Sequence, residues 1–339
     1  MNTPDALPSL PYRRQFLRIL QAFFLLFLLT PVRLSAAGET EPGAQRIPRG
    51  EVILPAQGTA GQACAVIFRL KQPAQSVSVT LQDAGGRTLT SAKGFLLPDR
   101  RPARFPYVYA ALTGFSVYLE PAVYTLEYTV ILENGRQIRK TRSLPVSAPQ
   151  WPTETILLDE RNTGIRTDQS EERRAQIDKL NAILFSAQED APRFTGPYQK
   201  PVDSERITSG FGDRREFVYT GGGSDISAHY GLDFGVPTGT PVRAAGSGRV
   251  VMAENRISTG WSVVLEHLPG LYSLYYHLDE LLCAAGDTVT AGSIIGKSGA
   301  TGLATGPHLH WEFRLNGEAV SPDFFLQDGF ARLGADTFR

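Results

Sequence analysis

The stretch TGLATGPHLHWEF, residues 301–313, decides how the C-terminal third of the chain folds. Histidines alternate in it with apolar side chains, which is the period of a β-strand. Such a strand places Leu309 and Trp311 on one face and leaves the other face to His308 and His310. A Gly-Pro pair sets the entry of the chain, because proline locks its own φ and restricts the preceding residue. The stretch therefore predicts a strand that is anchored by its apolar face and presents two imidazoles to a ligand.

The chain has five histidines, and all lie in its C-terminal third, at positions 229, 267, 277, 308 and 310. A straight strand would hold His229 and Asp233 about 13 Å apart. The two can therefore meet only if the chain bends, which Gly231 permits. Two imidazoles and one carboxylate suit a catalytic zinc ion, which keeps its fourth position for water. His267 follows an apolar run and is assigned a structural role.

Four motifs, in this order along the chain, resemble those of the lysostaphin/LytM-type zinc metallopeptidases. They are RITSGFGDRR at 206–215, HYGLD at 229–233, YHL at 276–278 and TGLATGPHLHWE at 301–312. The resemblance covers about residues 201–326 and implies a LytM-like β-sheet, or barrel-sandwich, peptidase domain that binds one Zn²⁺. It implies that His229, Asp233 and His310 are the zinc ligands. His277 and His308 are then the catalytic histidines beside the metal.

Members of this family cut peptide bonds in the stem or cross-bridge peptides of bacterial peptidoglycan. The resemblance implies a secreted zinc-dependent endopeptidase with a metal-activated water as the nucleophile. The alternative is a catalytically silent member that binds the cell wall or activates another hydrolase. No predicted ligand or catalytic position is lost in this chain, which favours the enzyme. The bond that is cleaved and the division of roles between His277 and His308 stay open.

Two features near the predicted site have two interpretations each. Residues 216–228 are rich in glycine and lack the Pro-x-Thr-Gly pattern common in relatives. They either line the substrate groove or form a flexible surface loop. Glu312 follows His310 at an even spacing on the same strand face. It either orients that histidine or has a structural or surface role.

The residues before the peptidase region predict a second β domain, so the overall class is all-β. Short alternating strands separated by turn signals indicate an immunoglobulin-like β-sandwich at 46–147. A linker at 148–200 follows, with one helix that opens on a capping box at 168–171. The peptidase domain is predicted at 201–329. Because the linker is long, the sandwich and the linker helix are expected to position or partly cover the cleft.

Residues 1–37 have the layout of a secretory signal peptide. Arg13, Arg14 and Arg18 precede an apolar run at 19–29, and small residues that suit a cleavage site follow. The run is shorter than the roughly 20 residues that span a bilayer. We therefore expect export from a bacterial cell to the periplasm, cell envelope or exterior, with only transient membrane contact through this segment.

Composition limits the partners of the chain. Its 339 residues contain 34 Lys and Arg against 34 Asp and Glu, so there is no basic footprint for nucleic acid. Peptidoglycan peptides are the expected partner, while protein partners and the oligomeric state stay open. Cys64 and Cys283 fall in different predicted domains, where two free thiols are favoured over a disulfide.

Overall fold

A computed structural model describes residues 43–97, 104–187 and 190–327. These residues belong to one compact unit, and most of its regular structure is β-strand, as the sequence predicts. The predicted signal peptide at 1–37 lies outside the described residues. Among the described residues, no helix has both the length and the apolar character needed to cross a membrane.

The N-terminal part consists of two five-stranded sheets, with strand orders β1-β2-β4-β8-β7 and β3-β10-β9-β5-β6. The strands are β1 Gly43–Ile47, β2 Gly50–Leu54, β3 Gly58–Thr59, β4 Ala63–Leu70, β5 Ala74–Gln82, β6 Thr88–Lys93, β7 Phe95–Leu96, β8 Tyr107–Gly114, β9 Ala122–Leu132 and β10 Gln137–Ser147. Apolar side chains from both sheets form one shared core, so the sheets pack face to face. The immunoglobulin-like classification of this sandwich stays a prediction.

The segment that follows the sandwich contains one strand and two helices. They are β11 Thr153–Leu157, α1 Glu160–Thr167 and α2 Glu171–Leu184. The prediction of a single helix capped at Asp168 is wrong in detail, because Ser170 is the N-cap of α2 and accepts from the Arg173 amide at 3.1 Å. Helix α1 has its own cap, Asp159, which accepts from the Asn162 amide at 2.7 Å. The eight residues of α1 are mostly polar and do not place apolar side chains at helical spacing, so the sequence pattern does not predict this helix.

The C-terminal part contains a three-stranded sheet, β11-β13-β14, and a ten-stranded sheet whose main path is β12-β15-β22-β19-β18-β17-β20. Its elements are β12 Ile207–Ser209, β13 Arg214–Val218, β14 Ser224–Ala228, β15 Leu232–Phe234, β16 Pro241–Arg243, β17 Gly248–Arg256, β18 Gly260–Leu268, β19 Leu271–Leu281, β20 Thr288–Val289, β21 Ile294–Ser298, β22 Leu309–Leu315, β23 Glu318–Val320 and α3 Pro322–Leu326. Off the main path, β21 pairs with β16 and β19, and β23 pairs with β22.

The sandwich has an inner core of its own, and its outer face shares a second hydrophobic core with the C-terminal part. Strand β8 is apolar on both faces: Tyr109 and Ala111 belong to the core inside the sandwich. Val108 and Leu112 belong instead to the core that contains Val320 of the C-terminal part. A strand buried on both faces has no polar side, so the outer face of the sandwich must be covered. The C-terminal part supplies that cover.

The two cysteines lie in separate cores and are free thiols. Burial raises the pKa of the Cys64 thiol to about 12. It raises the pKa of Cys283, which is only partly buried, to about 11. Both thiols are therefore protonated and unreactive near neutral pH.

Candidate metal centre

Strand β22 lies at the centre of the site, between β15 and β19. The antiparallel register pairs His310 with Asp233 on one side and with Tyr276 on the other. Side chains of directly paired residues are neighbours on one face of a sheet. This pairing brings His310 Nδ1 to 2.8 Å from Asp233 Oδ1, although 77 residues separate the two in the chain.

His229 reaches the same point because the chain bends between β14 and β15. Its Nε2 lies 3.1 Å from Asp233 Oδ1 and 2.9 Å from His310 Nδ1. The bend occurs at the expected place, but Gly231 does not adopt a left-handed φ. A Cβ at this glycine would lie 2.3 Å from the carbonyl oxygen of Trp311. Glycine is therefore needed for the close approach of the bend to β22.

In His229 and His310 one ring nitrogen points inward, toward Asp233, and the other points outward. The hydrogen bonds of the outward nitrogens decide where the ring protons lie. His229 Nδ1 donates to the Gly210 carbonyl oxygen at 2.7 Å, and His310 Nε2 donates to Glu312 Oε1 at 2.8 Å. A carbonyl and a carboxylate can only accept, so the inward nitrogens of the neutral rings present lone pairs. Two such lone pairs and the Oδ1 of Asp233 converge within a buried group. This donor set fits a divalent metal ion that binds imidazole and carboxylate.

Glu312 orients His310, which decides between the two interpretations that the sequence left open. The carboxylate is buried, and its second oxygen accepts from Arg314 Nε at 2.6 Å. Burial alone would raise the pKa of Glu312, but Arg314 and His310 outweigh it and lower the pKa to about 2. Burial likewise opposes a charge on His310, but the hydrogen bonds to Asp233 and Glu312 raise its pKa to about 9. The imidazole is therefore held between two carboxylates.

The outer oxygen of Asp233 is held by an arginine that the sequence reasoning did not identify. Arg215 Nη2 donates to Asp233 Oδ2, and Arg215 Nε donates to Glu154 Oε1 at 2.7 Å. Burial would raise the pKa of Asp233, but the neighbouring His229 and His310 hold it well below its usual range. Arg215 is part of the first of the four motifs, and this position was the signal that could have identified it as a site residue. Glu154 lies in the predicted linker and gives no such signal.

His277 and His308 lie side by side next to this group, with ring centroids 4.7 Å apart. His277 Nδ1 donates to the Thr301 carbonyl oxygen and His308 Nδ1 to that of Gly306, each at 2.8 Å. These bonds leave the Nε2 of each neutral ring without a proton, and His308 Nε2 lies 3.9 Å from Asp233 Oδ1. Burial, followed by the nearby His308, lowers the pKa of His277 to about 3. The structure thus brings all five predicted site residues together, while their chemical roles stay a prediction.

A β-bulge places two successive residues of β19 beside His310. Tyr276 and His277 together lie opposite the single residue Ser262 of β18, and His277 has a left-handed φ of 60°. The ring of Tyr276 stacks on His310 at a centroid distance of 5.5 Å, and that of His277 meets it edge-on at 6.1 Å. Regular alternation would send the two rings to opposite faces of the sheet.

A cavity of about 300 Å³ opens next to the five residues. One wall is the β13–β14 hairpin, which contributes Phe217, Ser227 and Ala228. The glycine-rich stretch at 216–228 therefore forms an ordered hairpin that lines the cleft. A larger cavity of about 460 Å³ lies elsewhere, and none of the five site residues lines it.

Residues 153–167, which comprise β11 and α1 and which we call the strap, form another side of the cavity through Ile156, Leu158 and Arg166. The strap forms hydrogen bonds to the hairpin and to the segment that contains Ala304. The buried Asn162 donates through Nδ2 to the Ala304 carbonyl oxygen at 3.2 Å. Arg166 donates to both carboxylate oxygens of Asp225, in the hairpin, at 3.2 and 2.6 Å. The strap thus forms one side of the cleft. The predicted linker helix, α2, also contacts the cleft, because Arg173 Nε donates to Ser258 Oγ, in the cavity lining, at 3.2 Å.

The remaining histidine, His267, lies in the core and not in the cleft. Its Nδ1 donates to the Ser247 carbonyl oxygen at 2.8 Å, and its Nε2 lies 2.7 Å from Ser273 Oγ. Burial lowers the pKa of His267 to about 4. The ring is therefore neutral near pH 7, in a structural role.

Comparison with known proteins assigns the region around the cleft to a family. Residues 227–322 match peptidase family M23, and they include the three candidate ligands and both histidines beside them. The C-terminal region is a peptidase family M23 domain. Arg215 and Glu154 lie outside the matched residues of the M23 domain.

Two curated relatives share part of their length with this chain. Peptidoglycan DD-endopeptidase ShyA of Vibrio cholerae serotype O1 is 43% identical over 122 residues, which is 36% of this chain and 28% of the relative. DD-carboxypeptidase/endopeptidase Mpg of Neisseria meningitidis serogroup B is 39% identical over 123 residues, 36% of this chain and 27% of the relative. The chain therefore spans less than a third of the length of either relative.

A solved structure shares the fold of the M23 domain and of residues beyond it. It is a Pseudomonas aeruginosa protein assigned to peptidase M23, with a TM-score of 0.53 and 22% sequence identity. The match covers 79% of this chain and 94% of the other. At that identity the likeness is one of fold alone.

Proposed function

We propose that the protein is an exported, zinc-dependent endopeptidase that hydrolyses peptide bonds in bacterial peptidoglycan. The observation that carries the proposal is the convergence of two imidazole lone pairs and one carboxylate oxygen beside two further histidines. The names of the M23 relatives, which are peptidoglycan DD-endopeptidases, support the substrate class. Export belongs to the proposal, because peptidoglycan lies outside the cytoplasmic membrane and residues 1–37 have the pattern of a signal peptide.

His229, Asp233 and His310 would hold the metal ion. Two nitrogen ligands and one carboxylate oxygen suit zinc, which tolerates this mixed set and an open fourth position. Zinc, when bound, supplies an activated water molecule and polarises the scissile carbonyl group. Glu312 and the Gly210 carbonyl hold the outer imidazole nitrogens, so that metal binding, which displaces any proton from the inward nitrogen of His310, would leave both inward nitrogens directed at the metal ion.

His277 and His308 would move the protons of the reaction. A neutral imidazole with a free Nε2 can take a proton from the nucleophile and later give one to the leaving amine. The hydrogen bonds from Nδ1 to the carbonyl oxygens of Thr301 and Gly306 keep each ring in this tautomer. The strap and the hairpin form two sides of the cavity beside these rings.

The second candidate is a catalytically silent member of the family that binds the cell wall or activates another hydrolase. The strap favours it, because it lines the cavity and is bonded to Ala304 and Asp225, which narrows the access of a polymeric substrate to the five site residues. A silent protein would bind zinc and cell wall and would leave every peptide bond intact.

Digestion of purified peptidoglycan tests the proposal. The full chain is incubated with walls that contain glycyl cross-bridges and with walls that contain D-alanyl-diaminopimelyl links, and the released peptides are identified by mass spectrometry. We expect release from at least one wall type and its loss on chelation or in His310→Ala. His277→Ala and His308→Ala should keep the zinc and lose about 100-fold or more in kcat. A wild-type protein that binds zinc and sediments with the walls but releases no peptide would contradict the proposal and favour the silent alternative.

A further inference from the structure

We propose that Glu154 of the strap is a positioning residue for the metal ligand Asp233 and acts through Arg215. The inference rests on the proposed function, since it concerns how the chain binds its metal ion. It makes the predicted linker a structural part of the metal centre.

The two oxygens of Asp233 have different partners. Oδ1 faces the inward nitrogens of His310 and His229, at 2.8 and 3.1 Å. Oδ2 accepts from Arg215 Nη2. The Asp233 side chain is only 6% exposed, so water cannot readily replace the guanidinium at Oδ2. Arg215 therefore decides which oxygen is presented to the metal.

The guanidinium of Arg215 is in turn held at a second point. Its Nε donates to Glu154 Oε1 at 2.7 Å, and the same oxygen accepts from Ser209 Oγ at 3.1 Å. Because a guanidinium is planar and rigid, a partner at Nε sets the direction in which Nη2 points. Glu154 therefore aims Arg215 at Asp233.

Backbone pairing places Glu154 where this contact needs it. Strand β11 runs parallel to β13, and the register pairs Glu154 with Arg215 directly. Both residues lie outside 227–322, the residues that match family M23. The metal centre thus depends on a strand that precedes the catalytic domain.

The competing explanation is that the ion pair only ties the strap to the hairpin. The side chains of Arg215 and Glu154 are 16% and 39% exposed, and such pairs contribute about 0–1 kcal/mol to stability. A simple tie predicts a small change in melting temperature and no change in metal affinity. A positioning role predicts a lower metal affinity and a nearly constant melting temperature.

The test measures Zn²⁺ affinity of the full chain by competition with a chromophoric chelator, together with the visible spectrum of the Co²⁺-loaded protein. Glu154→Gln keeps the size and shape of the side chain and weakens its hold on Arg215. We expect zinc affinity to fall by about 10-fold or more, which is the usual effect of losing a partner of a metal ligand. The Co²⁺ spectrum should change as well, and the melting temperature of the metal-free protein should stay nearly constant.

Glu216→Gln is the matched control, because it removes the same charge from the residue next to Arg215 on β13. Glu216 accepts from Thr155 Oγ1 at 3.4 Å and Ser224 Oγ at 3.1 Å, so it joins the same strands without touching Asp233. Its variant should bind zinc like the wild type. In an Arg215→Lys background, which keeps the charge and loses the planar fork, Glu154→Gln should have no further effect.

Each outcome decides one point. A wild-type chain that binds no Zn²⁺ would overturn the proposed function itself. Normal zinc affinity in Glu154→Gln, or an equal loss in Glu216→Gln, would overturn the positioning role and leave the proposed function standing. If Glu154→Gln does not fold, Ser209→Ala removes a hydroxyl that bonds to Glu154 Oε1 at 3.1 Å and to Asp213 Oδ2 at 3.2 Å, and it should weaken zinc binding in the same direction. Unchanged affinity there would count against the proposal.

Discussion

Two buried histidines of this protein have opposite pKa shifts, and the difference lies in their partners. His310 stands between Asp233 and Glu312, and its pKa rises to about 9 in spite of burial. His267 has a carbonyl oxygen and a serine hydroxyl as partners, and burial lowers its pKa to about 4. At His310 the two carboxylates outweigh desolvation, whereas at His267 the hydrogen bond to the Ser247 carbonyl oxygen does not. Residue type and burial alone do not separate a candidate metal ligand from a core residue.

We expect His267 to make the fold less stable as the pH falls from about 6.5 to 4. In the unfolded chain this histidine has a pKa of about 6.5, whereas in the folded chain its pKa is about 4. The unfolded state then binds more protons, so the free energy of unfolding falls by up to about 3 kcal/mol in this window and is unaffected above it. Urea unfolding of the wild type and of His267→Gln at pH 7 and pH 4.5 measures the effect. The variant should lose less stability on acidification, and equal losses would contradict the assignment.

At the scale of elements, the strap turns a connecting segment into part of the cleft. Strand β11 supplies Glu154, which accepts from Arg215 beside the candidate metal centre, and helix α1 bonds to Ala304 and to Asp225 through Asn162 and Arg166. Long connections without a role are uncommon in compact folds, so the length of the predicted linker was an informative signal. The signal did not show which residues of the linker reach the cleft, because the contacts of α1 are made with distant parts of the chain.

We expect Asn162→Ala to open the cleft more often. The change removes the bond to the Ala304 carbonyl oxygen, which contributes about 1 kcal/mol and therefore about a fivefold change in the open population. Hydrogen exchange of the α1 amides should accelerate, and kcat/KM for a soluble stem peptide should rise about fivefold. Glu160→Gln is the control, since it lies exposed on the same helix. Faster exchange without any rise in kcat/KM would show that substrate does not pass the strap.

For the whole molecule, the sandwich and the M23 domain are coupled through a shared core. Leu112 of β8 packs in the same cluster as Leu315 and Val320 of the M23 domain. Polar contacts add to the junction: Asn316 Nδ2 donates to the Leu112 carbonyl oxygen at 2.6 Å. Tyr118 of the sandwich accepts from the Ala228 amide, at the edge of the cleft, at 3.0 Å. The two parts are therefore expected to unfold together.

Leu126→Ala tests this coupling from inside the sandwich. Leu126 is fully buried in the inner core of the sandwich, where the truncation costs about 2–5 kcal/mol. All three tryptophans lie outside the sandwich, at 151, 261 and 311, so their fluorescence reports on the rest of the chain. We expect the fluorescence melting temperature to fall together with that measured by circular dichroism. A fluorescence transition that stays at the wild-type temperature would show two independent domains.

Several features could be predicted from local patterns. Alternation of apolar residues and histidines predicts that His308 and His310 share a strand face, and the spacing of His229 and Asp233 requires a bend between them. The apolar spacing that predicted a linker helix falls within α2, although the N-cap was misplaced by two residues. These features depend on residues within a few positions of one another. Periodicity and capping chemistry are local, so they can be predicted from the sequence.

What the sequence determined by itself is therefore the set of chemical groups and their local directions: histidines and a carboxylate on strands with one apolar face. The tertiary structure decided which of these strands are neighbours, where the bulge at Tyr276 and His277 falls, and that Glu154 meets Arg215. It also decided that the outer face of the sandwich shares a core with the C-terminal part. The physical reason is that strand pairing and register are chosen by the packing of residues far apart in the chain. No local period encodes that choice.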